Sequence, residues 1–201
     1  VLFGDDLSLK NTYNKDFEAT YSYGKWLLKG YKYKFLKNYS RDSRSGFLSR
    51  VNPGIVRELT RERCDVVLIH GYESLTAWFA VLTAKYAGIK IIWRGEAVLR
   101  GVESRFSFKQ ILKRTILNFF FKSCDALMYS CSGNKEYLQF YKVDDNKLFS
   151  IPCAVDNAFF TEQNFFYSTD MDNLKNDLKI NKENMVIIFA ARFTKRKRPL
   201  D

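Results

Sequence analysis

The feature that most constrains the fold of this 201-residue sequence is a regular alternation of apolar strands and helices from residue 52 onward. Helical patterns separate four short apolar runs, which predict strands at 65–69, 89–93, 125–130 and 148–151. Continuous apolar runs are typical of strands that are buried on both faces of a sheet. A helix that joins two such strands implies a right-handed parallel crossover. The sequence therefore predicts an α/β fold with an open, doubly wound parallel sheet.

Capping residues and helical spacing predict the helices between these strands. Asn52 followed by Pro53 is a good helix start, because Asn caps helices and Pro suits their first position. Ser74 is expected to cap a second helix, which ends at Gly88. A third helix is predicted to bury one apolar face, formed by Phe108, Ile111, Leu112, Ile116, Phe119 and Phe120.

The chain is strongly basic, with 33 Lys and Arg residues against 22 Asp and Glu residues and a net charge of +11. Such an excess favours phosphates, nucleic acid or anionic lipid as partners, although a solvated surface explains a single cluster equally well. Two basic clusters stand out. Residues 25–50 interleave basic with aromatic side chains, and residues 192–198 carry five cations.

Cysteine and histidine usage argues against a metal site. The four cysteines form no Cys-x-x-Cys pair and His70 is the only histidine, so we expect no metal. Scattered cysteines in a chain of this size favour a reduced, cytoplasmic protein. The longest apolar runs have about six residues, whereas a membrane span needs roughly 20. The predicted location is the cytoplasm, where a peripheral position on the membrane is compatible with the charge.

Ligands of open parallel sheets bind beyond the carboxyl ends of the strands, which selects the loops that begin at His70 and at Arg94. The His70 ring, next to Gly71, could face a cleft, although a lone His more often has a structural role. Arg94 could hold a phosphate or carboxylate with its planar guanidinium. Glu96, beyond the flexible Gly95, could accept sugar hydroxyls. A local salt bridge between these two side chains is an equally good interpretation.

Two further loops follow predicted strands. The segment "SCSGN", which begins at Ser130, offers helix N-terminal amides that suit an anion, but helix starts of this composition are common. The segment "ARFTKRKR" follows the predicted strand 185–191 and ends in a run of cations. Neither loop is specific by itself.

Taken together, the motifs resemble the family 4 glycosyltransferases. "LFSIPCAVDNAFF" is similar to a variant of the family's linker segment, and its Asp156 is interpreted as hinge structure rather than as a catalyst. "FAARFTKRKRPLD" is similar to the segment that opens the family's second Rossmann-like domain. "HGY", "RGE" and "WLLKGYKYKFLKN" also resemble a subgroup, so the resemblance extends over nearly the whole chain.

The resemblance implies a GT-B architecture, with an acceptor bound by the first Rossmann-like domain and a nucleotide-sugar donor by the second. Residues 1–156 would form the acceptor-side domain, residues 157–169 the linker, and residues 170–201 the start of the donor-side domain. Such enzymes are metal-independent and retain the anomeric configuration. Arg192 and Lys197 match the family's diphosphate-binding cations, and preplaced cations stabilise a departing diphosphate.

The sequence departs from the family pattern at several points. Ala191 stands where the family has Gly, and Cys153 with Ala154 replaces the commoner Asn-Gly of the linker. The family's Gly-rich first loop should precede Val1, and its pair of donor-binding glutamates should follow Asp201. We therefore interpret the sequence as a fragment, and we expect no sugar transfer from it alone.

The predicted function is that of a hexosyltransferase in cell-surface polysaccharide biosynthesis. It would move a sugar from a nucleotide-sugar to a lipid-linked or polysaccharide acceptor without a cofactor. Nucleic acid is not an expected partner of such an enzyme, whereas an anionic membrane surface is compatible with it. The alternative is a non-enzymatic basic α/β module that binds nucleic acid or anionic membrane, for which residues 25–50 would supply a basic stripe with aromatic side chains.

Overall fold

A computed structural model describes most of the chain, and it divides into two compact units. The first unit comprises Val1–Thr12 and Tyr21–Cys153, and the second comprises Tyr13–Thr20 and Ala154–Asp201. The predicted domain boundaries, at residues 156 and 170, stay a prediction. The described residues are 1–10, 12–14, 19–21, 28–42, 46–62, 64–99, 108–166, 168–181 and 183–187.

Parallel strands form the centre of the first unit. In chain order the described strands are β1 (Leu2–Phe3), β2 (Thr12–Asn14), β3 (Ala19–Tyr21), β4 (Lys34–Phe35), β5 (Val66–His70), β6 (Lys90–Arg94), β7 (Ala126–Tyr129) and β8 (Leu148–Ser150). β5, β6, β7 and β8 pair in that order, and every pair is parallel. β1 pairs in parallel with β4, and β2 pairs with β3. The predicted parallel α/β sheet is confirmed.

Helices join the strands of the four-stranded sheet, as the alternating pattern predicts. The described α-helices are α1 (Gly54–Arg61), α2 (Leu75–Ala87), α3 (Phe108–Ser123), α4 (Ser132–Phe140), α5 (Asn157–Phe166) and α6 (Ser168–Asp177). The Ser74 hydroxyl accepts from the Ala77 amide at the start of α2, and Gly88 ends that helix with φ of 70°. None of the described helices is long and apolar enough to cross a bilayer.

An aromatic cluster fixes the packing of β6, α3 and α4. Trp93, Phe120 and Phe121 are completely buried. The ring centroids of Trp93 and Phe121 lie 5.0 Å apart with an interplanar angle of 70°, an edge-to-face arrangement that aromatic rings favour. Tyr72 and Tyr137 extend the cluster, with ring centroids 5.8 Å and 6.3 Å from that of Phe121. The rings therefore tie the loop after β5 to the two helices.

The strand predicted at 65–69, which is β5 in the structure, was expected to be buried on both faces, and this prediction is wrong. Val66 and Leu68 are 48% and 58% exposed, whereas Ile69 is buried. Alternate residues of a strand point to opposite faces of the sheet. β5 therefore has one covered face and one open face, although its sequence is apolar throughout.

The predicted apolar face of α3 is only partly correct. Of its six residues, Phe120 is buried and the other five are exposed. The side of α3 that enters the core carries Leu117, Phe120 and Phe121. Apolar residues occur all round this helix, so helical spacing alone cannot select the face that packs.

The segment predicted as an irregular linker, residues 157–169, is largely helical. α5 covers Asn157–Phe166, and its start is capped by Asp156, whose Oδ1 accepts from the Phe159 amide at 3.0 Å. Asp at a helix N-cap supplies an acceptor for an otherwise unpaired amide. α6 follows and covers Ser168–Asp177. The strand predicted at 185–191 lies mostly outside the described residues.

Asn52 has a different role from the predicted helix cap. No side-chain hydrogen bond caps α1, and Asn52 is completely buried. Its Nδ2 donates to the carbonyl oxygens of Gly4, Leu36 and Lys37 at 2.8, 3.3 and 3.0 Å. Its Oδ1 accepts from the Thr76 hydroxyl at 2.8 Å. One amide thus joins the segment after β1, the segment after β4 and the start of α2.

Replacing Asn52 by Ala should lower the free energy of unfolding by about 3 kcal/mol, because several buried carbonyl groups lose their donor. Urea unfolding followed by circular dichroism measures the change. Asn146→Ala, at an exposed site, is the matched control and should change stability by less than about 0.5 kcal/mol. Equal effects of the two substitutions would contradict the structural role of Asn52.

Candidate functional site

The carboxyl ends of β5 and β6 bring two of the predicted loops together. His70 is in register with Arg94 on the neighbouring strand. The Gly71 amide donates to the Arg94 carbonyl at 2.8 Å, and Trp93 Nε1 donates to the Gly71 carbonyl at 3.0 Å. The structure thus places the "HGY" and "RGE" motifs side by side at one edge of the sheet.

The glycines of these two motifs are needed for different structural reasons. Gly71 has φ of 75°, a left-handed conformation that favours glycine. Gly95 is buried against the Trp93 ring, and a Cβ at Gly95 would overlap that ring. Gly95 therefore permits close packing on Trp93, which is a different role from the loop flexibility expected of it.

A cavity of about 1060 Å³ opens beside the end of β5. Its polar side carries His70, Glu73 and Arg50. Its apolar side is formed by residues of α2 and α3, namely Trp78, Leu112, Ile116 and Leu117. A cavity with one polar and one apolar side suits a ligand that has both characters.

The loop that lines this cavity is held rigidly. The hydroxyl groups of Tyr72 and Tyr137 lie 2.6 Å apart, and Trp78 Nε1 donates to the Tyr72 carbonyl at 3.1 Å. Burial raises the pKa of both tyrosine hydroxyls above their usual range. Glu73 Oε2 accepts from the Tyr72 amide at 3.1 Å. The Trp78 ring is thus oriented by the Tyr72 carbonyl, and the Glu73 carboxylate folds back onto the Tyr72 amide at the cavity.

Arg94 lies close to the linker motif. Its Nη2 is 3.7 Å from Cys153 Sγ, in a weak hydrogen bond. Glu96 is exposed two residues further along. Arg94 and Glu96 are thus held at the edge of the sheet, but neither lines the cavity that contains His70.

Ser130 has a structural role in the loop after β7. Its amide donates to Asn134 Oδ1 at 3.2 Å, and Asn134 Nδ2 donates to the Ala97 carbonyl at 2.8 Å. Asn134 is completely buried. At least one of the amides expected to hold an anion in "SCSGN" is therefore already used. Asn134 instead ties this loop to the "RGE" loop.

Several site residues were missed by the sequence patterns. The pattern around Trp78 predicts only an apolar helix. Arg50 lies in a segment without helical or strand periodicity. Glu73 lies in the loop that begins at His70, where a carboxylate shortly after a strand was a usable signal. Arg192 and Lys197 lie outside the described residues, so their assignment stays a prediction.

No cluster of three or more metal-binding side chains occurs in the described part of the chain. The thiol of Cys124 is buried, and this burial raises its pKa to about 12. Cys131 and Cys153 are exposed and free.

Parts of this chain are similar to known proteins. The sequence profile of the family described as Glycosyltransferase Family 4 matches residues 18–159. A solved structure, "Crystal structure of UDP-N-acetylglucosamine 2-epimerase", is similar with a TM-score of 0.40 and 20% sequence identity. The similar region covers 59% of this chain and 33% of that chain, so the match spans about a third of that protein's length. No curated protein matches the sequence.

Replacing Asn134 by Ala should loosen the carboxyl edge of the sheet, because the Ser130 amide and the Ala97 carbonyl both lose a buried partner. The free energy of unfolding should fall by about 2 kcal/mol. Hydrogen exchange should become faster in residues 95–99, while β5 should exchange as in the unchanged protein. Uniformly faster exchange across the sheet would show that Asn134 supports the whole fold rather than these two loops.

Proposed function

Because this chain belongs to glycosyltransferase family 4, we propose that it serves hexosyl transfer from a nucleotide-sugar to a lipid-linked or polysaccharide acceptor, with retention of anomeric configuration. The observation that carries the proposal is the cavity beside β5. There His70 and Glu73 face a space that Trp78 borders with an apolar ring. Such a combination suits a sugar, which has hydroxyl groups along its edge and a less polar face.

The proposed acceptor contacts follow from the chemistry of these groups. The Glu73 carboxylate can accept from sugar hydroxyls, and charge-assisted bonds of this kind are the stronger ones. The His70 imidazole can donate or accept near neutral pH. The Trp78 indole is held by the Tyr72 carbonyl, so its ring can serve as a fixed apolar surface.

The proposed donor contacts involve the basic loop near the end of the chain. A departing nucleoside diphosphate gains negative charge during transfer, and fixed cations stabilise that charge. Arg192 and Lys197 are proposed for this role by the resemblance of their segment to the family motif. The proposal assigns no step to a metal ion or to a cofactor, and it assumes a cytoplasmic location, where nucleotide-sugars are available.

The non-enzymatic alternative is not favoured. The family profile covers the greater part of the chain, whereas the alternative rests on net charge and on the basic, aromatic stretch of residues 25–50. A basic surface is compatible with both hypotheses, because lipid-linked acceptors and nucleotide donors carry phosphate groups.

Acceptor binding by the cavity is tested with Glu73→Gln and His70→Ala in the full-length enzyme. Each change removes a proposed contact to the acceptor, so the acceptor KM should rise about tenfold while the donor KM stays the same. Initial rates at varied acceptor and donor concentrations measure both constants. Glu136→Gln, at an exposed position of α4, is the control. An unchanged acceptor KM in both cavity variants would exclude the cavity as the acceptor site.

The donor assignment is tested by three substitutions in the basic loop. Arg192→Ala and Lys197→Ala should each lower kcat by about 10²–10³, as for a lost electrostatic contact in the transition state. Lys195→Ala should have little effect, because a solvated cation is screened. Steady-state kinetics in the full-length enzyme separates these outcomes. The same mild effect for all three would mean that the loop is only a charged surface.

A further inference from the structure

We propose that the outer face of α3 docks on an anionic membrane surface, beside the mouth of the cavity. This face consists of five exposed apolar side chains, with exposed fractions from 42% for Ile116 to 79% for Phe108. The core-facing side of the same helix is buried. The outer-face residues are Phe108, Ile111, Leu112, Ile116 and Phe119.

A helix with apolar residues on two opposite sides is typical of an element that is covered on both sides. At 100° per residue, Phe108, Leu112 and Phe119 lie within about 40° of one another around the axis of α3. Leu117 is on the opposite side, where it enters the core. A contiguous apolar surface of this kind marks an interaction site more often than scattered exposed residues do.

The charge of α3 selects the partner. The sequence of the helix contains Lys109, Lys113, Arg114 and Lys122 and no Asp or Glu. Arg114 lies over the Phe140 ring of α4 and Lys113 lines the cavity, whereas Lys122 follows Phe119 by three residues on the outer face. A symmetric contact with a second copy would bring the same cations together, because each side of such an interface presents the same patch. An anionic bilayer surface instead accepts the apolar side chains and attracts Lys122 and the net positive charge of the helix.

The position of the cavity supports the same partner. Leu112 and Ile116 belong to the outer face and also line the cavity. Phe47, half exposed in the short helical turn Phe47–Ser49, lines the cavity as well. The apolar surface is therefore continuous with the apolar wall of the cavity. A lipid-linked acceptor held in the bilayer could therefore enter the cavity without crossing water. This route rests on the proposed function.

Docking is measured by co-sedimentation with vesicles of phosphatidylcholine that contain about one-third phosphatidylglycerol. The unchanged chain should bind these vesicles and should bind pure phosphatidylcholine much more weakly. The double variant Phe108→Ser with Phe119→Ser should reduce binding about tenfold or more, because two large apolar groups leave the interface. The matched control is Leu82→Ser with Tyr86→Ser, two exposed apolar residues of α2, which should bind like the unchanged chain.

A second variant tests docking without removing an apolar side chain, a change that could impair folding. Phe119→Trp preserves an aromatic side chain and adds a fluorophore at the outer face. Bound to vesicles that contain brominated lipid, it should show stronger quenching of tryptophan emission than the unchanged chain. Lys122→Glu should weaken vesicle binding several-fold, and added salt should weaken it further.

Three results would overturn the proposal. The first is equal vesicle binding by the Phe108→Ser/Phe119→Ser variant and the unchanged chain, both folded by circular dichroism. The second is absence of extra quenching for Phe119→Trp. The third is that α3 instead mediates self-association or duplex DNA binding that the same variant abolishes. Sugar transfer to a water-soluble acceptor tests the proposed function separately, so a failure of docking and a failure of transfer are distinguishable.

Discussion

Backbone polar groups at the carboxyl edge of the parallel sheet must find partners inside the protein, and the candidate site depends on how they do so. Loops that leave a buried sheet carry carbonyl and amide groups away from regular pairing. Asn52 satisfies three carbonyl groups of this kind. Asn134 joins the loops after β6 and β7. Two buried side-chain amides therefore hold these loops in position.

The aromatic cluster adds a second constraint, which links the cavity to α3. The hydroxyl of Tyr72 is hydrogen-bonded to that of Tyr137, and the Tyr72 ring packs against Phe120 and Phe121. The loop after β5 and the core side of α3 thus share one set of contacts. α3 also supplies part of the apolar wall of the cavity, where the core residue Leu117 lies beside Leu112 and Ile116. A change at Leu117 would therefore affect both the core and the cavity.

The parallel sheet was predictable from sequence because its strands are short apolar runs separated by helical patterns. The covered faces were less predictable. Val66 and Phe108 are as apolar as their buried neighbours, and only tertiary contacts decide which side of β5 or α3 is covered. Asn52 has the sequence context of a helix cap, yet its side chain donates to carbonyl groups that are distant in sequence. The positions of His70 and Arg94 at the carboxyl edge of the sheet were predictable because both end strands, whereas the places of Arg50 and Trp78 in the cavity lining carried no comparable signal.

The motif residues at the sheet edge divide into those that shape the site and those that can contact a ligand. Gly71 adopts a left-handed conformation, Gly95 packs on Trp93, and Tyr72 belongs to the core. These residues give the loops their path. His70 and Glu73 remain as polar groups that face the cavity. In "HGY", the His70 side chain lines the cavity whereas Gly71 and Tyr72 shape the loop, so the motif predicts the geometry of the loop more directly than the chemistry of a reaction.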